Sequence, residues 1–263
     1  MPLVRTIAVI NQKGGVGKTT TTANLGAAIA ERGPDICLLD LDPQSHLTLH
    51  FNIEPGSGQT NTYDVLTGRV PLSSAAINVK QHLWVAPAVI DLAAVEIELA
   101  TTPGREQLLR QRLAADVLPF EYLMIDCPPS LGLLTVNALA AANDALIPLQ
   151  PHFLALQGLG RLLETISLVQ HRINGDLRVG GVIFCMYEQI TRLAGEVAAD
   201  LKAFFDAART TDSPWANAKI FETVIRRNIK LAECPSYGQT IFEYEPNSNG
   251  AKDYNALADE FML

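Results

Sequence analysis

The sequence predicts an α/β fold, a mostly parallel, twisted sheet with helices on both faces, built as a single domain over residues 1–263. Three observations lead there. Apolar, β-rich runs alternate with helix-like segments, the pattern of a parallel sheet covered on both sides. A glycine-rich turn joins the first strand-like run to the first helix-like one. No Pro/Gly/Ser-rich linker, low-complexity tract or internal repeat divides the chain. With 48% hydrophobic and 18% charged residues, the chain has the composition of a folded protein and enough apolar material for a large core.

The strand-like runs are residues 6–10, 36–39, 83–86, 122–125, 145–149 and 179–184. Helical composition or periodicity covers 21–30, 154–173, 193–205 and 253–262. Residues 52–79 are rich in Gly, Pro, Ser and Asn, which predicts loops and short helices.

Residues 13–20 read Lys13-Gly14-Gly15-Val16-Gly17-Lys18-Thr19-Thr20, between a strand and a helix. This is the context of a P-loop: glycines free to adopt positive φ bring successive N–H groups towards an anion, and the helix dipole adds to the attraction. The usual pattern, G-x-x-x-x-G-K-[ST], fails at its first position, where this chain has Gln12. What stands instead resembles the deviant Walker A box of the ParA/MinD group of ATPases, in which the first lysine, here Lys13, reaches across a dimer interface to the partner's nucleotide. The run Thr19 to Thr22 is poor helix-starting material, and such local conflicts mark sites held for function.

Ligands of open α/β sheets sit at the carboxyl ends of the strands. Two of the apolar runs end in acids, Asp40-Leu41-Asp42-Pro43-Gln44 and Asp126-Cys127-Pro128-Pro129-Ser130. Beside a P-loop, these place carboxylates where Mg²⁺ needs oxygen ligands or water-holding partners.

These blocks, in this order, resemble the ParA/Soj family of partition ATPases. The likeness continues through the runs 125–135, 155–159 and 227–238 and weakens over 52–79 and near the C-terminus. It implies a P-loop NTPase fold with ATP and Mg²⁺ as cofactors. By that analogy Lys18 contacts the β- and γ-phosphates, Thr19 ligates the metal, and Thr20 lies near the α-phosphate. Asp126 is the Walker B-like carboxylate, Asp40 supports the magnesium shell, Asp42 positions the attacking water, and Asn228 lies near the adenine. The resemblance also implies a homodimer formed with ATP, slow hydrolysis stimulated by a ParB-like partner, and nonspecific DNA binding by the dimer. Candidate DNA contacts are Arg192, Arg226, Arg227 and Lys230. Two features oppose strong DNA binding: the net charge of −8, and the stretch Glu245 to Ala251, which lacks arginines that relatives often carry there.

Other function classes fit the sequence less well. A MinD-type membrane regulator ends in a basic amphipathic helix, whereas residues 251–263 hold three acids against one lysine, so no membrane partner is expected. An iron–sulfur carrier needs converging thiolates, but Cys37, Cys127, Cys185 and Cys234 are far apart in sequence. His46 and His50 are spaced to share a helical face, yet no H-E-x-x-H pattern accompanies them, and a polar loop is the plainer reading. No acceptor pocket for a P-loop kinase is legible. Unpaired cysteines, the absence of a long apolar span and a P-loop too near the N-terminus to follow a signal peptide give a cytoplasmic protein, nucleoid-associated when ATP-bound.

Overall fold

The computed structural model describes residues 4–188 and 192–263. The elements run β1 (Arg5–Val9), α1 (Lys18–Ala30), β2 (Ile36–Asp40), α2 (His46–His50), α3 (Thr62–Thr67), α4 (Leu72–Ala75), β3 (Ile77–Lys80), β4 (Leu83–Ala86), α5 (Val95–Glu98) and α6 (Leu108–Ala114). They continue with β5 (Tyr122–Asp126), α7 (Leu133–Ala141), β6 (Asp144–Leu149), α8 (Phe153–Arg172), β7 (Arg178–Tyr187), α9 (Arg192–Ala208), β8 (Lys219–Ile220), β9 (Ile225–Arg226), α10 (Ile229–Glu233), α11 (Ile241–Tyr244) and α12 (Asn249–Met262). The strands form one sheet in the order β3-β4-β2-β5-β1-β6-β7-β8, with β9 also on β7. Every pairing is parallel except β3 with β4.

Central strands are apolar on both faces because both faces are covered. Ile7, Val9, Ile36, Leu38 and Met124 point into a core shared with α1 and α12, while Ala8, Ile10, Cys37, Leu39, Leu123 and Ile125 point into the core under α7, α8 and α9. α1 lies close on β2: a Cβ at Gly26 would sit 2.5 Å from a methyl of Leu38.

Each strand-like run in the sequence is a strand, with ends displaced by up to three residues. α1 starts three residues earlier than its composition suggests, because Gly17 at φ 96 turns the loop directly into the first helical turn. Residues 52–79 do hold short helices, α3 opening with a capping box between Asn61 and Asp64, but they also contain most of β3. The helix α7 and the two-residue strands β8 and β9 have no counterpart in the sequence reading.

The segment after Asp42 is the short helix α2, not a loop, and its histidines diverge: His46 is exposed and His50 is buried. The His50 Nε2 atom makes no hydrogen bond. Burial pushes the imidazole down to about 4 from the usual 6.5, against a backbone hydrogen bond with Gln239 that favours the charged form. The unfolded chain therefore binds a proton that the folded chain refuses between those values. The stability so held is full above pH 6.5 and lost as pH falls towards 4, by roughly 3 kcal/mol at most. His50→Gln is expected to flatten the pH dependence of the urea midpoint over that interval relative to the wild type; equal slopes would contradict it.

Candidate active site

The site is assembled at the carboxyl ends of β1, β2, β5, β6 and β7. Gly15 and Gly17 adopt positive φ, 71 and 96, whereas Gly14 does not. A Cβ built at Gly14 or Gly15 meets nothing within 4 Å, so both glycines border open space. The Lys18 ammonium donates to the Lys13 carbonyl at 3.3 Å, closing the loop. Burial pushes the Lys18 ammonium below its usual range, opposed by the charges of Asp126 and Asp42. Such a half-desolvated cation gains much from an anion.

The threonine run is accounted for residue by residue. Thr19 Oγ1 donates to Asp126 Oδ2 at 2.7 Å, and Thr22 Oγ1 reaches the Lys18 carbonyl at 3.1 Å and Asp126 Oδ1 at 3.4 Å. Thr21 meets the Tyr254 hydroxyl at 3.1 Å, which ties α1 to α12. Thr20 lines the adjoining cleft.

Asp126 is 1% exposed, and burial together with the Asp40 charge raises its carboxyl well above the usual carboxylate range. A dication here would reverse that shift. The donors on offer, a threonine hydroxyl and a carboxylate oxygen, are hard oxygen ligands suited to Mg²⁺. Among the described residues no group of three His, Cys, Asp or Glu could hold a metal ion.

Asp40, expected to support the magnesium shell, is tied to the loop that follows it. Its Oδ2 accepts from Thr48 N at 2.9 Å and Thr48 Oγ1 at 2.7 Å, and its Oδ1 accepts from Asp42 N at 3.2 Å. These three hydrogen bonds anchor the loop that carries Asp42, and burial raises the Asp40 carboxyl to about 7. Asp42 is 7% exposed and uses one carboxylate oxygen to accept from Gln44 N at 3.0 Å.

A cleft of about 440 Å³ continues from Gly17 and Thr20 to Gln150, Met186, Ile225, Asn228, Leu231 and Tyr254. Its lining mixes polar groups such as Gln150 and Asn228 with apolar ones such as Ile225 and Leu231, which suits a nucleoside base. Asn228 is positioned there as the N-cap of α10, its side chain accepting from Lys230 N at 2.9 Å. Met186 holds a left-handed backbone, φ 51, unusual for a side chain of that size. A larger hollow of about 560 Å³ lies at the other end of α1, among Glu31, Arg32, Lys80 and His82, away from the loop. Its cations are paired, Lys80 with Glu243 and Arg32 with Asp259.

Lys13 is exposed at the edge of the loop and its Nζ lies 2.5 Å from His152 Nε2. The cations singled out for DNA differ among themselves. Arg226 is committed to the fold: Nη2 and Nε donate to Asp253, at 2.5 and 3.1 Å, and its backbone N–H donates to the same carboxylate. Arg227 pairs with Glu188 but is 75% exposed, and Lys230 donates to Glu233 at 2.9 Å. The Arg192 side chain lies outside the described residues. All four cysteines are buried, and burial raises their thiols, Cys185 to about 12.

Gln150, His152, Met186, Tyr254 and Thr48 escape the sequence reading. The strand-end rule that finds Asp40 and Asp126 also finds Gln150 and Met186 when extended to β6 and β7; Thr48 and Tyr254 carry no comparable signal.

The profile of a family described as AAA domain matches residues 4–179. The sporulation initiation inhibitor protein Soj of Bacillus subtilis is 42% identical over 97% of this chain and 96% of its own length. The chromosome-partitioning ATPase Soj of Treponema pallidum is 40% identical over 98% of this chain and 97% of its own. The crystal structure of a cobyrinic acid a,c-diamide synthase from Mycobacterium smegmatis, with bound ADP and magnesium, superposes with a TM-score of 0.82 at 36% identity, covering 99% of this chain and 94% of that one. With a P-loop of this form backed by a buried Asp126 and flanked by a base-sized cleft, the chain belongs to the Soj/ParA family of partition ATPases.

Proposed function

We propose that the chain is one ATPase domain, residues 1–263, that pairs with a second copy on binding Mg·ATP, engages DNA without sequence preference as the dimer, and releases it on hydrolysis. The observation that carries this reading is the array of Lys18, Thr19, Asp126 and Asp42 around one open loop, with Lys13 projecting from its rim. Lys18 and the loop N–H groups hold the phosphates, Thr19 and Asp126 hold Mg²⁺, and the cleft beyond Thr20 takes the base, with Asn228 at its edge. The metal supplies charge neutralisation on the phosphate oxygens. Asp42, on a loop pinned by Asp40, orients water in line with the terminal phosphate, and Lys13 of the second copy stabilises the charge that develops there. The M. smegmatis structure supports the ligand assignment, since that related chain was crystallised with ADP and magnesium.

DNA binding falls to Arg192, Arg226, Arg227 and Lys230; Arg226, Arg227 and Lys230 are ion-paired in the free chain, with Arg227 the most exposed of the three. About three phosphates neutralised per protomer make about six per dimer, for which log K is expected to fall with log salt at a slope of roughly −5. A ParB-like partner stimulates turnover, and the protein is cytoplasmic and joins the nucleoid when ATP-bound. Membrane docking is disfavoured because the apolar side of α12, with Ala251, Tyr254, Leu257 and Phe261, is spent on the core. No described helix is long and apolar enough to cross a membrane.

Gel filtration with Mg·ATP or Mg·ADP, followed by DNA binding across a salt series, tests the reading. Dimer and DNA affinity with ATP alone support it. An ATP dimer without DNA affinity at low salt overturns the DNA part, and a monomer under both nucleotides overturns the switch.

A further inference from the structure

The free protomer holds its signature lysine in cis. Lys13 Nζ sits 2.5 Å from His152 Nε2. Both residues are registered to β6: Asn11 Nδ2 donates to the Pro148 carbonyl at 2.7 Å while its Oδ1 accepts from Lys13 N at 3.0 Å, and His152 follows Pro148 by four residues. His152 is the N-cap residue of α8, with extended backbone at φ −141 and ψ 161, yet its side chain makes no capping hydrogen bond. The imidazole is therefore available to Lys13. The two residues line a small hollow with Gln12 and Gly158, which gives the lysine room to swing.

We propose that His152 is the positioning residue for Lys13: it parks the ammonium inside its own subunit and so sets how fast two ATP-loaded copies pair. This rests on Lys13 acting across the dimer. A neutral imidazole nitrogen accepts one hydrogen bond from the ammonium without cancelling its charge, so Lys13 arrives at the partner's phosphates as a full cation. The first turn of α8 contains no acid, and a helix N-terminus disfavours a cation, so the contact holds Lys13 weakly enough to be exchanged for a phosphate. A carboxylate at 152 would replace this loose hold by an ion pair.

The test compares His152→Ala, His152→Glu and His152→Gln in the full chain, following the rate of pairing after mixing with Mg·ATP by stopped-flow energy transfer between labelled protomers. The alanine variant, with nothing to leave, is expected to pair about threefold to tenfold faster, and the glutamate variant slower by a similar factor. Glutamine restores a neutral acceptor and is expected within about twofold of wild type. A residue needed only for folding would shift all three in one direction. Rates that move together, or none that move, overturn the proposal. Lys13→Ala run in parallel separates the two claims: if it pairs like wild type, action across the dimer fails and the proposal falls with it. If it fails to pair while the His152 variants match wild type, only the proposal falls.

Discussion

Asp42→Ala is expected to abolish ATP turnover, by a factor of about 10² to 10⁴, while leaving ATP-driven pairing and DNA binding intact. The separation follows from what the side chain touches. Its carboxylate accepts from Gln44 N, but the backbone of the same loop is held independently, Asp42 N by Asp40 and the Asp42 carbonyl by Ser45 N at 2.8 Å. Removing the carboxylate leaves the loop in place and breaks none of the hydrogen bonds of Lys18, Thr19 and Asp126. The nucleotide is then bound without a group to orient water, so the dimer accumulates. Phosphate release measured beside gel filtration checks this; a variant that neither hydrolyses nor pairs would assign Asp42 to assembly instead.

Lys13→Ala is expected to cost more. A cation delivered from outside the nucleotide's own subunit supplies about 10³ to 10⁵ in rate in phosphoryl transfer, and here the same cation joins the copies, so both turnover and pairing are lost. The protomer itself is spared. Lys13 is exposed, its side chain contacts His152, and its backbone bonds to Asn11 and Lys18 do not depend on the side chain. Unfolding stability is expected to change by less than about 0.5 kcal/mol, and ATP binding to the single subunit persists through Lys18. Unchanged nucleotide binding with no dimer on gel filtration is the predicted pair of results; loss of nucleotide binding would mean that Lys13 serves its own subunit.

The strands and the P-loop were legible because each depends on local pattern. Both faces of this sheet are covered, so central strands read as short continuous apolar runs, and the loop is spelled by glycines that two of its positive φ angles require. Strands β8 and β9 were invisible because two residues have no period; their pairing on β7 defines them. The roles of the acids were only half legible. An Asp at a strand's carboxyl end reads alike as metal ligand or loop anchor, and nothing in the letters marks the bond that Asp40 accepts from the hydroxyl of Thr48, eight residues on. Arg226 reads as a surface cation until α12 brings Asp253 against it, and His152 reads as nothing until β6 sets it beside Lys13. Long-range pairings of this kind are decided by topology, which leaves no trace in adjacent letters.

The claim that Lys13 completes the neighbour's site has a direct test in mixed dimers. In a pair made of one Lys13→Ala and one Asp42→Ala subunit, the nucleotide on the first has its own Asp42 and receives Lys13 from the second, so one of the two sites is whole. An equal mixture of these two inactive proteins is predicted to recover hydrolysis up to about a quarter of the wild-type rate, the value for random pairing with half of the pairs mixed and one working site in each, and less where Asp42→Ala pairs with itself. A mixture no more active than the two variants apart would mean that Lys13 acts within its own subunit.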